Sequence, residues 1–456
     1  MVEKYKAYPE YKNSGTRWMG DVPKDWSLIP LKYLCQFSGG GTPSKDSPEY
    51  WNGNIPWVSP KDMKTSRITS TIDNVTERAI NESSTNLVDE GALLVVVRSG
   101  ILQHSIPVAI NDVPVTLNQD MKAIRFNARL NAQYAMYVTI GSQAALLLEW
   151  RKQGATVESI EQEYLANTVF PVPPVNEQDK ITKFLDVETA KIDTLIEKQQ
   201  QLIHLLKEKR QAVISHAVTK GLNPNAKMRD SGVEWLGEVP EHWKVSKFGY
   251  VSMVVRGGSP RPAGDPELFN GDYSPWVTVA EITKDGEVYL TETETFLTKK
   301  GSEQCRVFSS GTLLISNSGA TLGVPKILSI NANANDGVVG FENLKLDHEF
   351  SYFYLSTLTD DLRERIKQGS GQPNLNTDIV KNIAVPIPPK SEISEIVTLI
   401  RNTREQYANL TTRATAAIEL LQERRTALIS AAVTGKIDIR NWVAPKESQT
   451  NKEVAA

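Results

Sequence analysis

Gly15-Thr16-Arg17-Trp18-Met19-Gly20-Asp21-Val22-Pro23-Lys24-Asp25-Trp26 returns later in the chain as Gly232-Val233-Glu234-Trp235-Leu236-Gly237-Glu238-Val239-Pro240-Glu241-His242-Trp243, displaced by 217 positions. Two Trp, one Pro and two Gly match in register. Self-similarity over such a distance decides the fold, because a missed repeat misassigns every element that follows it. Working outward, Gly39 and Gly40 align with Gly257 and Gly258, Pro56-Trp57 with Pro275-Trp276, Gly91 with Gly311, and Ser99-Gly100 with Ser318-Gly319. From Gln153-Gly154 against Gln368-Gly369 the displacement settles at 215. It carries Phe170-Pro171-Val172-Pro173-Pro174 onto Val385-Pro386-Ile387-Pro388-Pro389, and Ala212-Val213-Ile214-Ser215 onto Ala427-Leu428-Ile429-Ser430.

The character of each copy changes at its Pro-Pro pair. Before it, short apolar runs such as Ile55–Val58, Leu93–Val97 and Leu313–Ile315 are broken by Gly, Pro, Asn and Asp, which reads as strands and turns. Ala132–Trp150 and Phe350–Lys367 read as helices, so each copy opens with an α/β (α+β) domain. After Pro174 there is no Pro or Gly until Gly221, and after Pro389 none until Gly435. Ile181, Leu185, Ile192, Leu195, Leu202, Leu206 and Val213 recur at spacings of three, four or seven, predicting one long helix from an Asn176 N-cap to Val218. Ile393, Val397, Ile400, Tyr407, Leu410, Ala417, Leu421 and Leu428 predict a second from Ser391 to Val433. Glu188, Gln199 and Lys209 interrupt the first stripe. A narrow apolar stripe on so long a helix needs a partner, and the expected one is the other helix, antiparallel and coiled-coil-like. The expected organisation is a domain over 1–175, a helical segment over 176–222, a second domain over 223–390, a second helical segment over 391–435, and a tail over 436–456. An approximate twofold axis would relate the copies. Lys6–Gly15 also echoes the linker before Gly232, so the repeat is nearly circular.

Composition narrows the function. A chain of 456 residues, 40% hydrophobic and 23% charged, should fold as several domains. The longest aliphatic run, Ala92–Val97, is far short of the roughly 20 residues needed to cross a bilayer, and no signal-peptide core opens the chain. Two cysteines, Cys35 and Cys305, indicate neither a disulfide framework nor a zinc site and fit a reducing cytoplasm. The formal charge of −3 argues against polyanion binding by net charge alone, leaving only a local basic face for that task.

The chemistry of common enzymes is absent from the pattern. There is no phosphate-binding Gly-x-x-x-x-Gly-Lys-Ser/Thr loop, and Gly39-Gly40-Gly41 and Gly257-Gly258 lack dinucleotide-binding spacing. The five His are scattered, and Ser99-Gly100 lacks the flanking glycines of a nucleophile elbow. Trp18, Trp26, Trp235 and Trp243 could stack on bases. Their invariance between copies argues for shared packing instead, because elements that read different sequences should differ. Lys207, Lys209, Arg210, Arg424 and Arg425 form either a solvated basic face or a contact to a partner.

The order of variable domain, Pro-rich hinge and long helix, given twice, resembles the specificity subunit of type I restriction-modification enzymes. Trp-x-Gly-x-Val-Pro-x-x-Trp opens each copy, the Ala-Val-Ile-Ser pattern closes each helix, and Gly221–Gly232 looks like that family's central linker. The resemblance runs from about Lys6 to Arg440 and is uninformative inside the domains. It implies a noncatalytic subunit with two target recognition domains that read double-stranded DNA and hold two adenine methyltransferase subunits, with motor-nuclease subunits completing the complex. No cofactor is then expected on this chain. S-adenosylmethionine would sit on the methyltransferase, and ATP and Mg on the motor-nuclease. The absence of an Asn/Asp-Pro-Pro-Tyr/Phe motif agrees. A repeated scaffold without a DNA partner, and a specificity polypeptide that has lost its partners, remain as alternatives.

Under that resemblance, polar residues on turns that differ between the copies are the candidate base readers, since loops can enter a groove while strands hold them in register. In the first domain these are Thr42, Ser44, Lys45, Lys61, Lys64, Arg67, Arg98, Ser99, Gln103 and Gln153. In the second they are Arg256, Ser259, Arg261, Thr278, Lys284, Asn317, Ser318, Thr321, Gln368 and Gln372. Arg and Lys suit guanine or phosphate, and Gln and Asn suit adenine. Two domains held by rigid helices predict a DNA site in two unequal parts, separated by a nonspecific gap and centred about one duplex turn apart.

Overall fold

The aliphatic run Ala92–Val97 holds the strand Leu93–Val96 and is buried on both faces. Leu93, Val95 and Val97 join a core shared with helices, while Ala92, Leu94 and Val96 join a second core between two sheets. The period-two alternation therefore separates two apolar layers rather than core from solvent, which is why the run is continuous. The computed structural model describes residues 5–152, 157–319, 321–367 and 375–444. Two units divide the chain, residues 1–200 with 416–456, and residues 201–415.

In the first unit the two large sheets are built from β1 (Cys35–Gly39), β2 (Trp51–Val58), β3 (Arg67–Ile68), β4 (Asp73–Val75), β5 (Leu87–Val88), β6 (Leu93–Val96), β7 (Val108–Asn111), β8 (Val115–Leu117) and β9 (Met121–Phe126). They form a five-stranded sheet, β1-β9-β6-β7-β3, and a four-stranded sheet, β4-β2-β8-β5. Both are mixed, since β7 pairs with β3, and β8 with β2, in parallel. The second unit has β10 (Met253–Arg256), β11 (Phe269–Val277), β12 (Tyr289–Leu290), β13 (Phe296–Leu297), β14 (Val307–Phe308), β15 (Leu313–Ser316), β16 (Pro325–Leu328), β17 (Ala332–Ala334) and β18 (Val338–Glu342). Its sheets run β10-β18-β15-β16-β12 and β13-β11-β17-β14, the same topology strand for strand.

Registers refine the alignment of the copies. Gly40 donates to Met121 O and Gly257 to Val338 O, while Gly41 donates to Leu117 O and Gly258 to Ala334 O. Gly40 therefore matches Gly257, one step from the expected pairing of Gly39. A Cβ at Gly40 would lie 1.9 Å from Asn118 O, and one at Gly257 2.3 Å from Asn335 O. These glycines serve close backbone approach. Likewise Leu94 faces Ala123 and Leu314 faces Gly340, which sets Arg98, not Ser99, opposite Ser318 in the alignment.

The long helices are α1 (Val175–Lys220, 46 residues) and α2 (Lys390–Val433, 44 residues). Each starts earlier than expected. The amides of Glu177 and Gln178 both donate to Pro174 O, so Asn176 lies inside the first turn and is not the cap. In the first unit Ile181, Phe184, Leu185 and Ile192 of α1 share a core with Leu428, Ile429, Ala432 and Val433 of α2, and Arg425 Nε donates to Asp193 Oδ1 at 2.8 Å. In the second unit Ile214, Ala217 and Val218 share a core with Ile393, Ile396, Val397 and Ile400. Between these cores the partly buried positions of α1 are Ile196, Gln199, Ile203, Leu206, Arg210 and Val213, a strict alternation of three and four. Leu195 and Leu202, expected in the stripe, are 46% and 43% exposed, as is Leu410 at 45%. The stripe runs one residue beside them.

The repeated Trp motifs pack as the sequence indicates. Trp26 and Trp243 are buried, and their indoles donate to Glu177 Oε1 at 2.9 Å and to Glu392 Oε2 at 2.8 Å on the first turns of α1 and α2. Trp18 and Trp235 lie against the same cores. Glu177 also accepts from the Tyr8 hydroxyl at 2.5 Å, whereas Glu392 lies 2.6 Å from His242 Nε2. The end of α2 closes on the hairpin of Tyr11–Asn13 and Asp21–Pro23 through Tyr11 Oη to Gly435 O, and on the helix Ala132–Gly141 through Tyr134 Oη to Val433 O. Gly435 carries φ +70°, and a Cβ there would meet Pro23 Cδ at 2.2 Å, so this crossing requires glycine. Ala132–Trp150 is two helices rather than one, with the break at Ser142, where Gly141 lies against Ile429 and Ser430 of α2. Phe350–Lys367 is likewise broken at Leu358.

Candidate nucleic-acid interface

Loops at the ends of β1, β2, β6 and β8 carry most of the first-domain candidates. The indoles of Trp51 and Trp57 meet edge to face with centroids 5.1 Å apart, and their N–H groups donate to Ser44 O and Gly41 O. That contact anchors the loop of Thr42, Ser44 and Lys45 over β2. After β2, Ser59 and Asp62 form a reciprocal cap, with Asp62 Oδ2 accepting from the Ser59 amide at 2.9 Å and its hydroxyl at 2.8 Å. The cap fixes the turn that displays Lys61.

A cleft of about 670 Å³ results, in which Thr42, Lys45, Lys61 and Ser99 converge beside Trp51, Asn118 and Asp120. Lys61 also borders a neighbouring groove of about 560 Å³ with Lys64 and Arg67, whose Nη2 pairs with Asp112 at 3.1 Å. Arg98 stands at the first cleft, its Nε donating to Asp120 Oδ1 at 2.6 Å. Ser99 accepts from the Ile101 amide and caps the short helix that ends at Gln103. Gln103 is exposed and does not line the cleft, and the side chain of Ser44 is also outside it. Gln153 lies outside the described residues.

The second domain gathers its candidates around Asp336. Its carbonyl oxygen accepts from Arg256 Nε at 2.6 Å and from Asn317 Nδ2 at 3.3 Å, and its carboxylate accepts from the Ser259 hydroxyl at 2.8 Å. Asn317 is fully buried, and its Oδ1 has no hydrogen-bond partner. Ser318 is near Gly337 on the same turn. Arg261 is exposed, its amide donating to Gln304 Oε1. Thr278 precedes the helix Val279–Thr283, and Thr321 offers its carbonyl to Ser316 Oγ. Lys284 stands apart, paired with Glu281 at 3.1 Å, in a cleft of mixed charge lined by Asp285, Glu287, Glu292 and Glu349 and by Arg401 and Arg404. There the buried Lys326 ammonium holds the Asp285 carboxyl below the usual carboxylate range. Gln368 and Gln372 lie outside the described residues.

Sequence reasoning passed over the turn on which both sites are built. Asn118-Gln119-Asp120 and Asn335-Asp336-Gly337 each close on the leading Asn, with Asp120 N donating to Asn118 Oδ1 at 3.0 Å and Gly337 N to Asn335 Oδ1 at 3.1 Å. An Asn at matching positions of both copies is the signal that could have found it. Of the basic cluster on the helices, Arg425 is paired with Asp193, and Arg424 lines a groove with Tyr5, Glu188 and Leu195. Among the described residues no three His, Cys, Asp or Glu are grouped to hold a metal ion, and no helix is long and apolar enough to cross a membrane.

The sequence profile of the type I restriction modification DNA specificity domain matches residues 23–205 and again 240–420. A 167-residue stretch, 36% of this chain and 40% of the relative, is 45% identical to the EcoR124I/EcoR124II type I restriction enzyme specificity subunit of Escherichia coli. Over 96% of this chain and 98% of the relative, identity to the MjaIX specificity subunit of Methanocaldococcus jannaschii is 24%. Two solved structures share the fold. One, from a study of complex assembly and conformational transition in the type I R-M system, gives a TM-score of 0.70 at 16% identity, covering 91% of this chain and 99% of that one. The other, the HsdS subunit from Thermoanaerobacter tengcongensis, gives 0.52 at 17% identity, covering 91% and 98%.

Proposed function

The chain belongs to the type I restriction-modification DNA specificity family, and from that membership we infer that it reads a two-part, asymmetric DNA site, one part with each domain. The observation that carries this reading is the repeated scaffold with unlike loops. The profile matches both copies and the sheets agree strand for strand, yet Arg98 stands where the other copy has Ser318, and Arg256 where it has Gly39. Equal scaffolds with unequal reading residues predict unequal half-sites on one duplex.

The helices act as the spacer, an antiparallel coiled-coil-like pair about which the copies are related by an approximate twofold. The three-and-four alternation of α1 and the Asp193–Arg425 pair support this arrangement. Two adenine methyltransferase subunits dock on the chain, one for each strand, and motor-nuclease subunits complete the restriction complex. The chain itself is noncatalytic and works in the cytoplasm. S-adenosylmethionine belongs to the methyltransferase partners, and ATP and Mg to the motor-nuclease. With a net charge of −3, the partners must supply much of the phosphate neutralisation, so the isolated chain should bind DNA weakly. The reading residues are those converging on the two Asn-led turns, with Lys61, Lys64 and Arg67 on phosphate.

Coexpression with the cognate methyltransferase, followed by genome-wide mapping of methylated adenines, tests the reading. The expected pattern is two unlike half-sites around a fixed gap, with one methylated adenine on each strand. A continuous or palindromic site would overturn it.

A further inference from the structure

We propose that each recognition domain reads a guanine through a single arginine tethered at its Nε by the Asn-led turn, Arg98 in the first unit and Arg256 in the second. The proposal rests on the DNA-reading function above and assigns it a base and a residue in each half-site.

The two arginines reach the same turn from different strands. Arg98 follows β6, and Arg256 ends β10, the counterpart of β1. Arg98 Nε donates to Asp120 Oδ1, and Arg256 Nε donates to Asp336 O, each at 2.6 Å. Both backbones are also fixed. Arg98 N donates to Asp120 O and its residue bridges to Ser159, while Arg256 pairs with Val339 within the sheet. A guanidinium held at Nε keeps its two terminal nitrogens side by side and pointing away from the tether. That fork matches O6 and N7 on the major-groove edge of guanine.

Other arginines are held elsewhere. Arg67 and Arg306 use a terminal nitrogen on Asp112 and Glu342, and Arg401 uses both Nε and Nη2 on Glu349. Arg78, Arg151 and Arg363 are also held at Nε, by Glu82, Glu158 and Leu322 O, but none of these partners lies on the Asn-led turn. The tether to the Asn-led turn is what Arg98 and Arg256 share. Asp120 is then a positioning residue for the first domain, and Asp336 does the same work through its carbonyl oxygen. A phosphate would also accept such a fork, so the test separates base from backbone.

The assay uses the complete methyltransferase complex on duplexes carrying its mapped site, with each guanine replaced in turn by 7-deazaguanine and each base pair permuted. One guanine in each half-site should be sensitive, with binding weakened roughly tenfold or more. Arg98→Ala should erase that sensitivity in one half-site and Arg256→Ala in the other, leaving the remaining positions unchanged. Asp120→Asn, which keeps the size of the tether, should blunt the preference at the Arg98 base while the salt dependence of binding stays the same. Uniform weakening across all sequences with a shallower salt dependence in Arg98→Ala would mark a phosphate contact and overturn the proposal. So would a half-site without a G·C pair, or Arg→Ala variants that keep their deazaguanine sensitivity. A wild-type complex that methylates no defined site would instead remove the DNA-reading function itself.

Discussion

Glu177 concentrates more of the first unit's order than any residue of the reading loops. It is buried and accepts from both the Tyr8 hydroxyl and the Trp26 indole. Glu177→Ala leaves two buried donors unsatisfied, at about 1–3 kcal/mol for each group. Glu392→Ala should cost less, because the Glu392 side chain is 34% exposed and water can reach His242. Hydrogen exchange followed by mass spectrometry checks this, with faster exchange around Asp21–Pro23 expected in the first variant and a smaller change around Glu238–Pro240 in the second. Equal effects would show that exposure does not set the difference. The packing role of these Trp was legible because it needs only identity between copies. The Asn-led turns were not, because whether Asp120 holds Arg98 depends on which strand ends meet, and local sequence does not carry that.

The same limit returns in the helices. Their existence was legible from the absence of Pro and Gly and from apolar periodicity, but the phase of the seam was not. Leu195 and Ile196 are adjacent and both apolar, and only the partner decides which one is covered. Ile192→Ala, at a residue 6% exposed, should therefore cost about 2–5 kcal/mol, while Leu195→Ala should cost under about 1 kcal/mol. Thermal melts of the two variants side by side read the difference, and comparable losses would return Leu195 to the seam. The second helix adds an electrostatic contact to its domain. Burial would raise the Glu349 carboxyl, but Arg401, bonded to both its oxygens, and the Tyr289 hydroxyl hold it below the usual range. A depressed carboxylate contributes stability that is present above the unfolded value of about 4.3 and is lost as pH falls through the lower folded value. The gap in melting midpoint between wild type and Glu349→Gln should accordingly be open at pH 6 and close as pH falls below about 4. A gap that stays constant down to pH 3 would mean that Glu349 acts by shape and not by charge.

For the whole molecule, the spacer reading makes the gap of the DNA site a function of helix length. The seam alternates three and four, so an insertion of four residues would advance its phase and turn covered residues outward, whereas seven preserves it. Both helices must lengthen together. Asp193 faces Arg425, and in an antiparallel pair six residues beyond Asp193 lie opposite six before Arg425, so an insertion after Gln199 is matched by one just before Glu419, after Ile418. Seven residues add about 10 Å of helix, or up to about three base-pair steps. Methylation mapping of the doubly extended chain should find both half-sites intact and a longer gap. Exchange of residues 15–170 for those of another family member should change one half-site and leave the gap alone. The two variants move different parts of the site because spacing belongs to the helices and base choice to the domains. An unchanged gap in the extended chain would show that something other than the helices, such as the docked methyltransferases, fixes the distance between the half-sites.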